Sequence, residues 1–184
     1  LASKLRELGY PVLSADEIAR EVLAPGSPAL EEIRAAFGDL SLNDDGSANR
    51  SYLRSQISAH PQLRLKLDQI THPRIQARSQ KLAEQAFAEG AELVFYEAPL
   101  LFEAGSGRRM DKVICVHAPD EVRIARTMKR DGGTREQAEK LLRSQMPQEE
   151  KMKMSDYLVE NSSDLPSLEV EAKKILTKLK ALST

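Results

Sequence analysis

The stretch that decides the fold is LVFYEAPLLFEAG, residues 93–105. Leu93–Tyr96 predicts a strand, and its near-continuous hydrophobicity indicates burial on both faces, as in a parallel sheet. The apolar residues Ala98–Phe102 follow where this strand ends. Three other short apolar runs predict strands at Tyr10–Leu13, Lys112–Val116 and Tyr157–Val159. Because helical patterns separate these runs, the sequence predicts an α/β domain.

The residues between the first two strands indicate a helical insertion. The run Ala24–Pro28 breaks the α/β pattern, and from there to Gly90 apolar residues recur at helical spacing. We therefore expect a three-layer parallel sheet with flanking helices, a helical insertion over residues 28–90 and a core formed by residues 1–27 and 91–184.

The two ends of the chain also predict helices. Residues 1–8 place leucines on one helical face, and Gly9 stops that helix. The tail from Leu168 carries further apolar residues in helical register: Ala172, Ile175, Leu176, Leu179 and Leu182.

Composition excludes several classes of protein. The 184 residues include 27 Lys plus Arg against 28 Asp plus Glu, so no basic field favours general nucleic-acid or membrane binding. Apolar residues make up 41%, which argues against disorder. The single Cys115 excludes an intramolecular disulfide framework and a multi-cysteine zinc site, and favours a reducing compartment. We find no apolar run that could span a bilayer and no signal-peptide pattern.

Ligands of parallel sheets bind at the carboxyl ends of the strands, so the polar residues found there are candidates for a site. Asp16 follows the first predicted strand by three residues and could accept a proton from a hydroxyl or help hold a magnesium ion. An equally good interpretation is an N-cap of the next helix. Arg20 lies one turn later on the same face, where it could form a surface ion pair or guide an anionic substrate.

Arginines cluster after the third predicted strand. Arg123, Arg126 and Arg130 share one face of a predicted helix, and Gly132-Gly133 follows as a hinge. Guanidinium groups at this density can neutralise a transferring phosphoryl group. A solvated helix face is the alternative for each arginine alone, but the cluster beside a glycine hinge favours function.

The histidines and Cys115 give weaker signals. His72 precedes Pro73 and is interpreted more readily as a turn or capping residue than as a catalyst. His117 could lie near the site, although nothing in the sequence pairs with it. Cys115 lies inside a predicted buried strand, where packing is its expected role. We identify no nucleophilic triad and no metal-ligand spacing.

Several motifs, taken in order, resemble the dephospho-coenzyme A kinase family. They are PVLSADEIAREVLAPGSPAL (11–30), DGSANRSYLR (45–54), THPRI (71–75), APLLFEAG (98–105), RTMKRDG (126–132) and DYLVENS (156–162). The resemblance implies a P-loop NTPase-like kinase related to nucleoside monophosphate kinases. Such an enzyme transfers the γ-phosphate of ATP to the ribose 3′-hydroxyl of dephospho-coenzyme A, the last step of coenzyme A synthesis.

The same resemblance implies a site for the acceptor. Asp16 matches the aspartate proposed as base toward the 3′-hydroxyl, and Arg20 would lie on the acceptor side. Residues 28–90 would bind the acceptor, with His72 in their His-Pro motif. The segment that matches the lining of the acceptor pocket contributes Leu100, Leu101 and Glu103.

The resemblance also implies a site for ATP. Arg126 and Arg130 match arginines at the base of a lid, about residues 126–150, over the phosphates, and Asn161 matches a residue near the adenine. ATP with Mg²⁺ would be the phosphate donor. We expect a cytoplasmic monomer or small homo-oligomer that binds no nucleic acid and no membrane.

The chain departs from the family pattern in two places. Ser14-Ala15-Asp16 stands where the family often has Asp-Ala-Asp, which retains the proposed base. No G-x-x-x-x-G-K-[ST] loop occurs in the sequence, although in the family that loop precedes the helix matching residues 1–8. We therefore expect an N-terminal truncation, with weak ATP binding by these residues alone. The alternatives are another P-loop small-molecule or nucleotide kinase, and a non-catalytic module that binds a coenzyme A-like ligand.

Overall fold

Two pairs of parallel strands organise the protein in this computed structural model, which describes residues 1–163 and 165–181. Strand β1 (Val12–Ser14) pairs with β2 (Phe95–Glu97), and β3 (Ile114–His117) pairs with β4 (Tyr157–Glu160). The four strands expected from the sequence are therefore present. The first three begin two residues later than predicted, because the residues before them lie outside the paired ladders.

Helices supply most of the remaining structure. Their bounds are α1 (Ala2–Glu7), α2 (Ala15–Val22), α3 (Pro28–Phe37), α4 (Arg50–Ala59), α5 (Pro61–Ala88), α6 (Asp120–Asp131), α7 (Arg135–Arg143), α8 (Gln148–Lys153) and α9 (Leu165–Lys180). The chain divides into two compact units. Unit 1 comprises residues 1–9 and the chain from Pro99 onward, and unit 2 comprises Tyr10–Ala98. Each unit contains one of the parallel pairs, and the α/β class is confirmed.

The terminal helices pack together within unit 1. Helix α1 ends before Gly9, whose φ of 86° lies in the left-handed region that glycine adopts without strain. Helix α9 packs against α1 and β4. Its buried side chains follow the predicted register: Leu168, Ala172, Ile175, Leu176 and Leu179. Leu182, which the same register included, lies outside the described residues.

The residues that connect the two strands of unit 2 along the chain form a helical core. Ile33 of α3 is fully buried, and it packs in one cluster with Leu53 of α4 and Ile70 of α5. The Tyr52 hydroxyl donates a hydrogen bond to the carbonyl oxygen of Phe37 at 3.1 Å, which ties α4 to the end of α3. This core holds together the residues that connect β1 to β2.

Helix α5 continues through His72-Pro73, so the interpretation of His72 as a turn or capping residue is wrong. Proline has no N–H and disrupts the hydrogen bonding of the preceding turn. The Arg74 guanidinium compensates nearby, since it donates to the Ile70 carbonyl oxygen at 2.6 Å and to Glu32 of α3 at 2.6 Å. Packing against α3 and this side-chain donor together outweigh the local preference of the His-Pro dipeptide for extended backbone.

The strands are less buried than their hydrophobicity predicted. No residue of β1 or β2 is fully buried, and the Val116 side chain of β3 is 39% exposed. Within the described residues each strand is paired with one other strand, in two two-stranded parallel sheets. Within the described residues, we find no helix whose length and apolarity would let it cross a membrane.

Replacing Ile33 with alanine should lower the free energy of unfolding by about 2–5 kcal/mol, because it leaves a cavity in a close-packed helical core. Urea unfolding followed by circular dichroism measures this loss. Leu65 of α5 is 66% exposed, so Leu65→Ala serves as the control and should change stability by less than about 0.5 kcal/mol. Equal losses for the two variants would contradict the assignment of the core.

Candidate functional site

Ser14 caps helix α2, and this leaves the nearby Asp16 uncommitted. The Ser14 side chain accepts a hydrogen bond from the Glu17 N–H at 3.4 Å, and Asp16 is the second residue of the helix. The capping interpretation of Asp16 is therefore wrong. Within the described residues its exposed carboxylate has neither a hydrogen-bond nor an ion-pair partner. A carboxylate just beyond the carboxyl end of a parallel strand is well placed to meet a substrate hydroxyl.

Arg20 lies one turn after Asp16 and is also exposed. Among the residues that the structure describes, its guanidinium has no ion-pair partner. The next residue, Glu21, forms an ion pair with Arg78 of α5, with 2.8 Å between the carboxylate oxygen and the guanidinium nitrogen. Helix α2 also packs against α5. The surface ion pair that could have occupied Arg20 is thus made by its neighbour, so Arg20 keeps its charge available for an anion.

His72 lies on the surface of α5 in the same unit. Its Nε2 atom is 3.5 Å from the Asp68 carboxylate one turn earlier, and its side chain is 49% exposed. This geometry fixes the imidazole beside an acid on an open helix face. Unit 2 therefore holds Asp16, Arg20 and His72, while the other predicted site residues belong to unit 1.

The segment at residues 99–105 forms a tight turn. The Ala104 N–H donates to the Leu100 carbonyl at 2.9 Å, and the Ser106 N–H donates to the Leu101 carbonyl at 2.9 Å. Leu100 is 42% exposed, whereas Leu101 is half-buried. These leucines present an apolar surface at one end of unit 1.

The Glu103 carboxylate in this turn is already engaged. It accepts hydrogen bonds from the Met146 N–H at 2.9 Å and from Lys151 Nζ at 2.8 Å. Burial by itself would raise the pKa of Glu103, but the hydrogen bonds from Lys151 and Met146 outweigh it and hold the pKa below its usual value. Glu103 is therefore ionised at neutral pH and bound to its own chain.

Arg126 of α6 is joined directly to Asn161. Its guanidinium donates to the carbonyl oxygens of Asn161 and of Ser163, the second at 3.1 Å. Two donors of one rigid fork therefore fix the turn that follows β4. The structure brings these two predicted residues together through the backbone carbonyl of Asn161.

A cleft of about 490 Å³ lies beside this turn. It is lined by the carboxyl ends of β3 and β4 and the start of α9, through His117, Leu158, Glu160, Asn161, Ser162, Ser163, Ser167, Leu168, Val170 and Glu171. Seven of these ten lining residues are polar, and three are aliphatic, so the cleft can offer hydrogen bonds together with some apolar contact. His117, which the sequence could not pair with anything, is part of this lining.

Carboxylates neutralise the remaining lid arginines. Arg130 makes a two-bonded pair with Asp131, at 2.6 and 2.8 Å. Arg135 of α7 pairs in the same way with Glu121 of α6, at 2.9 and 2.6 Å, and also contacts Glu139 at 2.8 Å. These pairs are exposed, so each contributes little to stability and can be separated at small cost.

Sequence reasoning missed the partners of these residues. Nothing in the local pattern connects Lys151 to Glu103 or Arg126 to the carbonyls after β4, because these pairs are far apart in the chain. Burial raises the pKa of the Cys115 thiol, which fits its predicted packing role. In the described part of the chain, no group of three or more His, Cys, Asp or Glu side chains could hold a metal ion.

Comparison with solved structures identifies the fold. The crystal structure of TT1252 from Thermus thermophilus superposes with a TM-score of 0.82 at 34% identity, covering 97% of this chain and 89% of that one. A dephospho-CoA kinase from Campylobacter jejuni superposes with a TM-score of 0.71 at 28% identity, covering 98% and 90%. The class is therefore that of α/β kinases with the P-loop NTPase fold, as predicted.

Sequence comparison then gives the family. The chain is 38% identical over 179 residues to the dephospho-CoA kinase of Syntrophotalea carbinolica, covering 97% of this chain and 85% of that protein. It is 39% identical over 168 residues to the dephospho-CoA kinase of Corynebacterium jeikeium, covering 91% and 86%. The dephospho-CoA kinase family model matches residues 1–167. The chain belongs to the dephospho-CoA kinase family, and the resemblance predicted from its motifs is confirmed.

Replacing Ser14 with alanine should destabilise the protein by about 1 kcal/mol, because an N–H at the start of α2 loses its side-chain acceptor. Asp16→Asn should leave stability nearly unchanged, since the carboxylate has no partner in the described structure. Thermal unfolding of the two variants measures both effects. A larger loss for Asp16→Asn than for Ser14→Ala would contradict the assignment of the cap.

Proposed function

We propose that this protein transfers the γ-phosphate of ATP to the ribose 3′-hydroxyl of dephospho-coenzyme A. Membership of the dephospho-CoA kinase family supports this reaction. The observation that carries the catalytic assignment is the uncommitted carboxylate of Asp16, two residues after the N-cap of α2. Phosphoryl transfer depends mainly on positioning and charge neutralisation, and the residues of both units supply these functions.

Asp16 serves as the general base in this proposal. Its carboxylate accepts the proton of the 3′-hydroxyl as that oxygen bonds to the γ-phosphorus and the bond to the β-phosphate oxygen breaks. The exposed position of Asp16 supports this role, because an acceptor can approach it without displacing a structural partner. Arg20, one turn later, and His72 of α5 supply positive or polar groups for the anionic acceptor.

Residues 28–90 form the acceptor-binding part in this proposal, and residues 1–27 and 91–184 form the nucleotide-binding part. Leu100 and Leu101 contribute apolar contacts for the acceptor. Of the three residues predicted to line that pocket, Glu103 has the least support, because its own chain already binds its carboxylate. The lid spans about residues 126–150. The ion pair between Arg135 and Glu121 is exposed and can be separated at small cost, which supports movement of this segment.

The nucleotide is bound through unit 1 in this proposal. Asn161 lies in the lining of the 490 Å³ cleft, which suits the adenine. Arg126 positions that turn, and Arg130 exchanges Asp131 for the phosphates of ATP. An Arg–carboxylate fork and an Arg–phosphate fork have the same geometry, so this exchange needs no change in the arginine donors.

Mg²⁺ accompanies ATP in this proposal. Magnesium is commonly held by one or two carboxylates together with substrate phosphates and water, and not by a cage of protein ligands. Among the described residues no cluster of acidic side chains is assembled for the ion, so phosphates and water would supply most of its ligands, and the ion would neutralise phosphate charge. The single, buried Cys115 supports a reducing compartment such as the cytoplasm.

Asp16→Asn should lower kcat by about 10²- to 10⁴-fold with little change in the affinity for dephospho-coenzyme A, because a general base acts in the transition state. The assay measures ATP-dependent phosphorylation of dephospho-coenzyme A by the protein as its gene encodes it. Asp44→Asn, at an exposed turn of unit 2, is the matched control. Near-normal turnover of Asp16→Asn would contradict the assignment of the base.

Arg130→Gln should lower kcat by about 10- to 1,000-fold, because the transferring phosphoryl group loses a charged donor. Arg143→Gln is the control, since Arg143 is also paired with a carboxylate and its side chain is 76% exposed. Steady-state kinetics with ATP varied and dephospho-coenzyme A saturating compare the two variants. Equal losses would show that charge on the lid matters in general and that Arg130 has no specific role.

A further inference from the structure

Glu103 and Lys151 form the centre of a small polar cluster in unit 1. Glu103 accepts from Lys151 at 2.8 Å and from the Met146 N–H at 2.9 Å, and Lys151 Nζ also donates to the Pro99 carbonyl at 3.0 Å. Two chain segments therefore meet here, the turn at residues 99–105 and the segment at residues 144–151. Every contact of the cluster connects one segment to the other.

The cluster is more sheltered than the ion pairs on the lid surface. The side chains of Lys151 and Glu103 are 15% and 24% exposed, whereas those of Arg135 and Glu121 are 53% and 74% exposed. Water and salt screen a sheltered pair less, so its attraction is stronger and its geometry better fixed. This pair can hold its two segments together while the exposed pairs exchange partners.

A second anchor holds the same segment. The Gln148 side-chain amide donates to the Ala118 carbonyl and accepts from the Ala118 N–H, both at 3.1 Å. Ala118 directly follows β3 and is buried. The start of α8 is thus bound on one side to the turn at residues 99–105 and on the other to the end of β3.

The part of the lid between α6 and α7 contains two adjacent glycines and lacks such an anchor among the contacts described above. Gly132 ends α6 with a φ of 68°, and Gly133 follows it before the Thr134 capping box starts α7. Adjacent glycines allow backbone rotation that other residues resist. The segment at residues 126–150 therefore contains a glycine pair toward its start and ends in a stretch that side-chain contacts hold in place.

We propose that Glu103 is a positioning residue and not an acceptor ligand: with Lys151 it fixes the return end of the lid, so that the lid moves about the Gly132-Gly133 pair. This proposal rests on the proposed kinase function, because a lid that closes over ATP is part of that function. It changes the role that the family motif implied for Glu103. The carboxylate that would line the acceptor pocket is occupied by Lys151 and the Met146 N–H.

Hydrogen exchange of the Met146 amide tests the anchor directly and needs no enzymatic activity. Glu103→Gln and Lys151→Met should each speed exchange at Met146 by about tenfold, because each removes the charge pair that holds this amide in place. Exchange at the core amide of Val159 should not change. Lys153→Met, on the same short helix and exposed, is the matched control. Unchanged exchange at Met146 in both variants would overturn the anchor.

Kinetics separate positioning from substrate binding. Glu103→Gln, Lys151→Met and the double variant should lose similar kcat, about tenfold, with KM for dephospho-coenzyme A unchanged and with recovery in Lys151→Arg. A raised KM for dephospho-coenzyme A in Glu103→Gln alone would overturn the proposal and make Glu103 an acceptor ligand. If the unsubstituted protein does not phosphorylate dephospho-coenzyme A, the proposed function fails, while exchange at Met146 still decides whether the anchor exists.

Discussion

Parallel pairing of short strands is the constraint on which the rest of this structure depends. Parallel neighbours cannot be joined by a tight turn, so each pair requires a long connection that leaves one end of the strands and returns to the other. The connection from β1 to β2 is the helical segment built around Ile33, and the connection from β3 to β4 contains α6, α7 and α8. Five of the nine assigned residues lie in these connections, and the other four follow the ends of β2 or β4, where parallel sheets bind ligands.

Local sequence was sufficient to predict the strands and the terminal helices. Short apolar runs such as Lys112–Val116 and the helical spacing of Leu168, Ala172 and Ile175 are local signals of burial, and the structure has a strand and a helix there. Local sequence was insufficient where several local conformations have similar energy. Both Ser14 and Asp16 are good caps by residue type, and in the structure Ser14 has the extended backbone and the side-chain hydrogen bond of the N-cap. The helical conformation at Pro73 depends on packing against α3 and on the Arg74 side chain. Prediction from neighbouring residues alone does not take such contacts into account.

The candidate site was predictable to a different extent from the fold. The family motifs suggest which residues to assign to it, and the free carboxylate of Asp16 agrees with the role proposed for that residue. The partners of Arg126 and Glu103 come from segments distant in the chain, and a single sequence holds no record of such contacts. Glu103 illustrates the consequence, because its motif implies contact with an acceptor whereas its hydrogen bonds connect it to Met146 and Lys151.

The ion pairs of the lid have a consequence for ligand selection. Arg130 and Arg135 already hold carboxylates in two-bonded geometry. An incoming anion therefore does not meet bare positive charge but competes with an acid tethered at high local concentration. A singly charged anion gains almost nothing from that exchange, whereas a polyphosphate can replace several tethered acids at once. In the proposed function, these arginines would therefore favour a polyphosphate over the abundant monovalent anions of the cell.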